Sequence, residues 1–192
     1  MEDPTWTVEG ERVALGPLRR ELLPLYAKWI NDLDVVRTLG REPMLPMTLE
    51  AEETWYENAA KGSEKDALFT IYERATKRPI GNTGLHQIQH RNRTAVYGIA
   101  IGEKDCWGKG YGTETTRLVL DYAFTVLGLH AVSLHVFAYN ERGLRAYERA
   151  GFKRAGRLRE ARRLGDGVHD EILMDCLATE FESPVLARRL LG

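Results

Sequence analysis

Gly108, Gly110 and Gly112 alternate with Lys109 and Tyr111 behind Trp107, and a helix-forming run follows from Thr113. A turn of this composition leaves the first amides of the helix unpaired and adds the positive end of the helix dipole. It also lets a ligand come close to a main chain that carries no Cβ. The chemistry open to it is anion binding, and a pyrophosphate is the natural guest. A tight connection with no ligand is the plainer reading of a lone Gly-x-Gly. Two nucleotide motifs do not fit. A P-loop needs Gly-Lys-Ser/Thr at the helix start, whereas Gly112 is followed by Thr113-Glu114; a dinucleotide fingerprint needs an acidic residue at the next strand's end, and that strand runs out near Asn140.

Other reactive side chains are read more plainly. His86 and His90 share i,i+4 spacing, but their surroundings read as strand and turn, and no third ligand accompanies them, so no metal is expected. Cys106 and Cys176 form no C-x-x-C pair, and packing is their default role. Asn140 is placed to cap a short helix, and Tyr147 on that helix reads by spacing as a core aromatic beside Leu144. Glu103, Glu160, His86 and His135 are the candidate bases; Glu160, in a run of arginines, reads first as a solvated charge. Arg149, Lys153, Arg154, Arg157, Arg159, Arg162 and Arg163 make the densest basic region, either a solvated surface or an attractor for an acidic acceptor or a nucleotide phosphate. Met44, Leu45 and Met47 in a proline-containing loop can line a pocket or pack as an ordinary lid.

The elements that must position these groups follow from periodicity. Arg12 to Leu18 reads as a strand, and Leu22, Leu25, Tyr26, Trp29 and Ile30 recur at helical spacing up to Asn31-Asp32. Thr48, with Glu50, Glu52 and Glu53, starts a second helix that fades at Lys61-Gly62. Strands are predicted at Ala67 to Glu73, Pro79 to Gln87 and Thr94 to Ile101, a helix at Thr113 to Leu127 stopped by Gly128, and a strand around Val132 to Val136. A helix from Glu141 to Ala150 and two strands across Gly165-Asp166-Gly167 complete the order, which gives a mixed α/β (α+β) sheet too poor in βαβ units for a doubly wound fold.

The chain of 192 residues, 43% of them hydrophobic, is read as one domain over 1–192 with its core at about 12–182. Its 27 basic and 28 acidic residues give a formal charge of -1, no global reason to expect nucleic acid. No run approaches the roughly 18 apolar residues that span a membrane, and a soluble, cytoplasmic protein is expected.

Ile99-x-Ile101, then five residues and Trp107-Gly-Lys-Gly-Tyr-Gly112, resembles motif A of the GCN5-related N-acetyltransferases (GNAT), in the form found in the RimJ/RimL ribosomal-protein branch. Asn140 to Phe152, with Tyr147 and a closing Gly-Phe, is similar to that family's second half-site. Trp107 stands where the general family has Gln or Arg, which leaves the backbone amides unaffected. The resemblance implies a mostly antiparallel sheet with helices on both faces, splayed into a V between the fourth and fifth strands, Thr94 to Ile101 and Ala131 to Phe137. Coenzyme A would bind with its pyrophosphate on Trp107 to Thr113 and its pantetheine arm against Ile99, Ile101 and Asn140. Acetyl-CoA would then donate to a primary amine by direct attack, with Tyr147 protonating the thiolate and Glu160, whose segment borders the family's acceptor pocket, as a candidate base. The acceptor implied first is a protein N-terminal α-amine. A small amine (polyamine, amino acid or aminoglycoside) and a non-catalytic CoA-binding module are the alternatives, and homodimers are common in the family.

Overall fold

The strands predicted at Ala67–Glu73 and Thr94–Ile101 form with those bounds in the computed structural model, which describes residues 3–40 and 45–191. They are β3 and β5 of an eight-stranded sheet whose other members are β1 (Val8–Glu9), β2 (Val13–Gly16), β4 (Arg78–Gln89), β6 (Ala131–Phe137), β7 (Lys153–Leu164) and β8 (Gly167–Leu177). The spatial order is β1-β2-β3-β4-β5-β6-β8-β7, and every neighbouring pair is antiparallel except β5 with β6. The mixed sheet expected from the order of elements, mostly antiparallel as the family resemblance implied, is therefore the one observed.

The helices are α1 (Leu23–Ile30), α2 (Leu33–Val36), α3 (Leu49–Ala60), α4 (Tyr111–Asp121), α5 (Glu141–Ala150) and α6 (Leu186–Leu191). Thr48 caps α3 by accepting from the Ala51 amide at 3.3 Å, and Asn140 caps α5 through the Gly143 amide at 3.0 Å. Three short elements escaped the sequence reading: β1, the single turn of α2, and α6. α4 begins two residues before the predicted Thr113, and a π-helical turn, Tyr122–Val126, replaces its last predicted stretch. Of the methionine loop, Met44 lies outside the described residues, Leu45 is exposed, and Met47 is tied to Asn31 through both its N–H and its carbonyl.

Alternation along β3 sorts the two faces of the sheet. Ile71 joins Leu15, Ile80, Leu85, Val132 and Leu134 beneath Leu118, Val119 and Ala123 of the α4 segment, while Tyr72 packs on the opposite face with Leu23, Tyr26 and Trp29 of α1. Each fully buried aliphatic side chain contributes about 1.5–3 kcal/mol, so these two layers fix where β5, β6 and α4 meet.

One buried carboxylate closes the α4 layer. Asp121 is fully buried and accepts from Ser183 Oγ (2.5 Å), the Val185 and Leu186 amides (3.0 and 2.8 Å) and Thr125 Oγ (3.0 Å), which docks the start of α6. Asp121→Ala strands these donors, and urea unfolding is expected to show a loss of about 2 kcal/mol or more. Asp121→Asn, which keeps an acceptor, should lose less. Among the described residues no helix is long and apolar enough to cross a membrane.

Candidate active site

The glycine turn has the backbone that its composition requires. Gly108 and Gly110 sit at φ 74° and 84°, left-handed conformations that cost a residue with a Cβ roughly 1–2 kcal/mol. Gly110 is also the N-cap of α4 and supplies no capping side chain, so the amides of Tyr111, Gly112 and Thr113 face outward uncapped. The turn is braced from behind. Arg12 Nη1 donates to the Lys109 carbonyl (2.9 Å), while the Arg12 amide and Nε donate to the Glu114 carboxylate (2.8 and 3.0 Å). On the same side the Tyr111 hydroxyl donates to Glu73 at 2.5 Å. The brace joins residues about a hundred positions apart, and no local spacing announces it.

Beside the turn the sheet opens. β5 and β6 pair only at Thr94, Ala95 and Val96 with Ala131, Val132 and Ser133. Beyond that point β5 stays on β4 as far as Ile101, and β6 stays on β8 as far as Phe137, so the two strands diverge. A bulge in β4 between His86 and Gln89, with Gln87 at φ 52°, lies level with the last shared pairs. Bulges add local twist, which turns the rest of β5 away from β6. The gap falls between the strands for which the V was expected; β1 merely shifts their numbers to five and six.

A cavity of about 390 Å³ runs from the turn into this gap. Its floor is Ile99 and Ile101 of β5, one end is Trp107, Gly108 and the start of α4 from Gly110 to Thr113, and its wall is α5 with Asn140 and Tyr147. Val35 and Thr38, from α2 and the residues after it, also line it, and this segment is tied down where the Tyr139 hydroxyl donates to the Arg37 carbonyl at 2.5 Å. Trp107 spans the mouth: its indole N–H donates to the Ile101 carbonyl at 2.8 Å, and the Arg142 guanidinium lies 3.8 Å over its ring. The Ile101 carbonyl is thereby already engaged within the protein.

Asn140 commits Oδ1 to its cap and keeps its amide nitrogen, which bonds to no described residue, at the cavity wall. The Tyr147 ring packs edge-on against Tyr97 (6.2 Å) and Phe152 (6.1 Å), and its hydroxyl likewise makes no hydrogen bond to any described residue. Burial pushes the Tyr147 phenol up to about 12, so it carries its proton at neutral pH. Partial burial, followed by the neighbouring Arg37 cation, pulls Arg142 below the ordinary guanidinium value.

Two of the expected site residues lie elsewhere. Lys109 contributes its carbonyl to the Arg12 brace and does not line the cavity. Glu160 stands exposed on β7 at φ 54°, its amide bound to Asp170, and also lies off the cavity wall. The other candidate bases are engaged: Glu103 with Trp29 (2.7 Å), Arg78 (2.8 Å) and Lys28 (2.9 Å), His86 with Asp66 (3.2 Å) and His135 with Glu171 (3.6 Å). Burial pushes Glu103 up, but those three donors outweigh it and hold the carboxyl below its usual value. Cys106 and Cys176 are both free and buried, and among the described residues no group of three His, Cys, Asp or Glu gathers for a metal. The arrangement can seat an extended anionic ligand, one end at the α4 amides and the other in the β5–β6 gap beside Tyr147.

Residues 12–153 match the acetyltransferase (GNAT) domain family, and the chain belongs to that family. It is a GNAT-type N-acetyltransferase. Among its relatives, the chain is 32% identical over 157 residues to the uncharacterized N-acetyltransferase YoaA of Bacillus subtilis, spanning 80% of this chain and 86% of that one. It is 32% identical over 146 residues to the spermidine N(1)-acetyltransferase of Escherichia coli K12, spanning 76% and 75%. The crystal structure of the spermidine N-acetyltransferase of Vibrio cholerae, in complex with CoA and spermine, superposes with a TM-score of 0.80 at 27% identity over 89% of this chain and 98% of that one.

Proposed function

We propose that the chain transfers the acetyl group of acetyl-CoA to a small primary amine by direct attack. The observation that carries this reading is one continuous cavity that joins the uncapped α4 amides to the β5–β6 gap and has Tyr147 in its wall. In this reading the pyrophosphate rests on the amides of Tyr111 to Thr113, and the pantetheine arm follows the free edge of β5 past Ile99 and Asn140. The neutral amine nitrogen forms its bond to the thioester carbonyl carbon. The tetrahedral intermediate then expels the thiolate as the C–S bond breaks. Nitrogen loses one proton in becoming an amide and sulfur gains one, and Tyr147 is the donor to sulfur. No dedicated carboxylate base enters the scheme, since Glu160 and Glu103 stand outside the cavity.

The spermidine acetyltransferases among the relatives support a small amine better than the ribosomal-protein N-terminus that the RimJ/RimL-like motif implied. A panel of polyamines, amino acids, aminoglycosides and N-terminal peptides assayed by CoA thiol release separates the two. With a small alkylamine preferred, kcat/KM should climb with pH through about 10 as the ammonium deprotonates, with no fall from Tyr147 ionisation in that range. A peptide α-amine would instead level near pH of about 8. Turnover restricted to peptides would overturn the choice of acceptor, and absence of thiol release with every amine would leave only a CoA-binding module.

A further inference from the structure

Arg12 lines no part of the cavity, yet its guanidinium grips the backbone on which the cavity depends. It packs directly behind Gly110, where a Cβ would meet Nη2 at 3.0 Å and Nη1 at 3.1 Å. From there it holds two acceptors at once. Nη1 donates to the Lys109 carbonyl and Nε to one oxygen of Glu114, whose other oxygen accepts from the Arg12 amide. Gly110 lines the cavity, whereas Glu114 does not. Gly10, between β1 and β2, leaves room for this arrangement, since a Cβ there would overlap Glu114 Oε1.

A trans peptide sets its C=O and N–H on opposite sides. With the Lys109 carbonyl drawn back to Arg12, the Gly110 N–H points away from the guanidinium, and it bonds to no described residue. The turn thus offers one more free amide than the first residues of α4 supply. Glu114 is the opposing hazard, because a carboxylate in the first turn of a helix is drawn to the same amides that would hold a phosphate. Arg12 neutralises it and keeps it on the β2 side. As a plain stabilising contact the pair counts for about 0–1 kcal/mol, because the Arg12 side chain is half exposed. We propose that Arg12 is a positioning residue for the acyl donor: it turns the Gly110 N–H toward the cavity and holds Glu114 away from the anion, so it sets CoA affinity without entering the chemistry. The proposal rests on the acetyl-CoA reading of the site.

The experiment measures the dissociation constant of CoA by calorimetry, and kcat at saturating acetyl-CoA with one amine acceptor. It compares the unmodified protein with Arg12→Ala, Arg12→Lys and Arg12→Ala/Glu114→Gln. Arg12→Ala should weaken CoA binding on the order of 10- to 100-fold, the equivalent of one lost hydrogen bond to a charged group. Its kcat at saturation should stay within about twofold. Arg12→Lys keeps the charge but not the fork that reaches both acceptors, and should fall between. The double variant separates positioning from plain stabilisation. Removing the unheld carboxylate should recover affinity about three- to tenfold relative to Arg12→Ala, whereas a purely structural brace gains nothing from losing its second partner. Should Arg12→Ala not fold by circular dichroism, Arg12→Lys with and without Glu114→Gln makes the same comparison. Undiminished CoA affinity in folded Arg12→Ala, a fall in kcat as large as the fall in affinity, or no recovery on adding Glu114→Gln would each overturn the positioning role and leave the acetyltransferase reading standing. Absence of CoA binding by the unmodified protein is the distinct failure of that reading, and the proposal falls with it.

Discussion

Tyr147→Phe is expected to lower kcat on the order of 10²- to 10⁴-fold, the usual range for loss of a proton donor in acyl transfer, with little change in acetyl-CoA affinity. The substitution isolates one function because the ring keeps its edge-on contacts with Tyr97 and Phe152 and the missing hydroxyl breaks no hydrogen bond to any described residue. Thermal unfolding should therefore match that of the unmodified protein. The phenol value of about 12 sharpens the expectation: the group keeps its proton throughout the assay range, and in the proposed scheme it would regain that proton from the nitrogen side. Steady-state kcat by thiol release, with the dissociation constant by calorimetry, tests this. Unchanged kcat would remove Tyr147 from the chemistry and leave it as a packing residue.

The sequence reading and the structure agree most closely where local chemistry decides the outcome. β3, β5 and α5 carry their predicted bounds because alternation, or a cap three residues before Gly143, is a short-range signal. The glycine turn was legible for the same reason, since positive φ at Gly108 and Gly110 admits few other residues. What escaped is long-range or too short to show a period. α2 is a single turn, yet with Thr38 it lines the cavity. The brace of Arg12 on Glu114 and Lys109 joins β2 to a turn about a hundred residues later, and only the fold brings them together. Nothing in the spacing of Arg142 singles it out; its place over Trp107 depends on how α5 packs beside the glycine turn. Glu160 errs in the other direction: β7 carries it on an exposed edge strand, where a carboxylate reads as solvated charge, the plainer reading its arginine-rich surroundings had already suggested.

Gly112→Asp is expected to remove acetyl-CoA binding without unfolding the protein. Unlike Gly108 and Gly110, Gly112 is not at positive φ, so a side chain here imposes no left-handed backbone. A Cβ built on it meets no heavy atom within 4 Å and points into space that borders the cavity. Helix propensity argues for tolerance, as glycine within the first turn of α4 contributes less to helix stability than most replacements. The carboxylate, by contrast, would stand where the proposed pyrophosphate sits. Like charges about 4 Å apart near a protein surface repel by about 4 kcal/mol, equivalent to a loss of affinity on the order of a thousandfold. Gly112→Ala adds volume without charge and should cost far less. The ordering of the two variants therefore matters more than either value, because a purely steric or structural role for Gly112 would make alanine and aspartate comparably harmful. Calorimetric titration with acetyl-CoA, beside urea unfolding of the same preparations, reads both quantities. If Gly112→Asp still bound acetyl-CoA with undiminished affinity, the pyrophosphate could not be seated on the α4 amides.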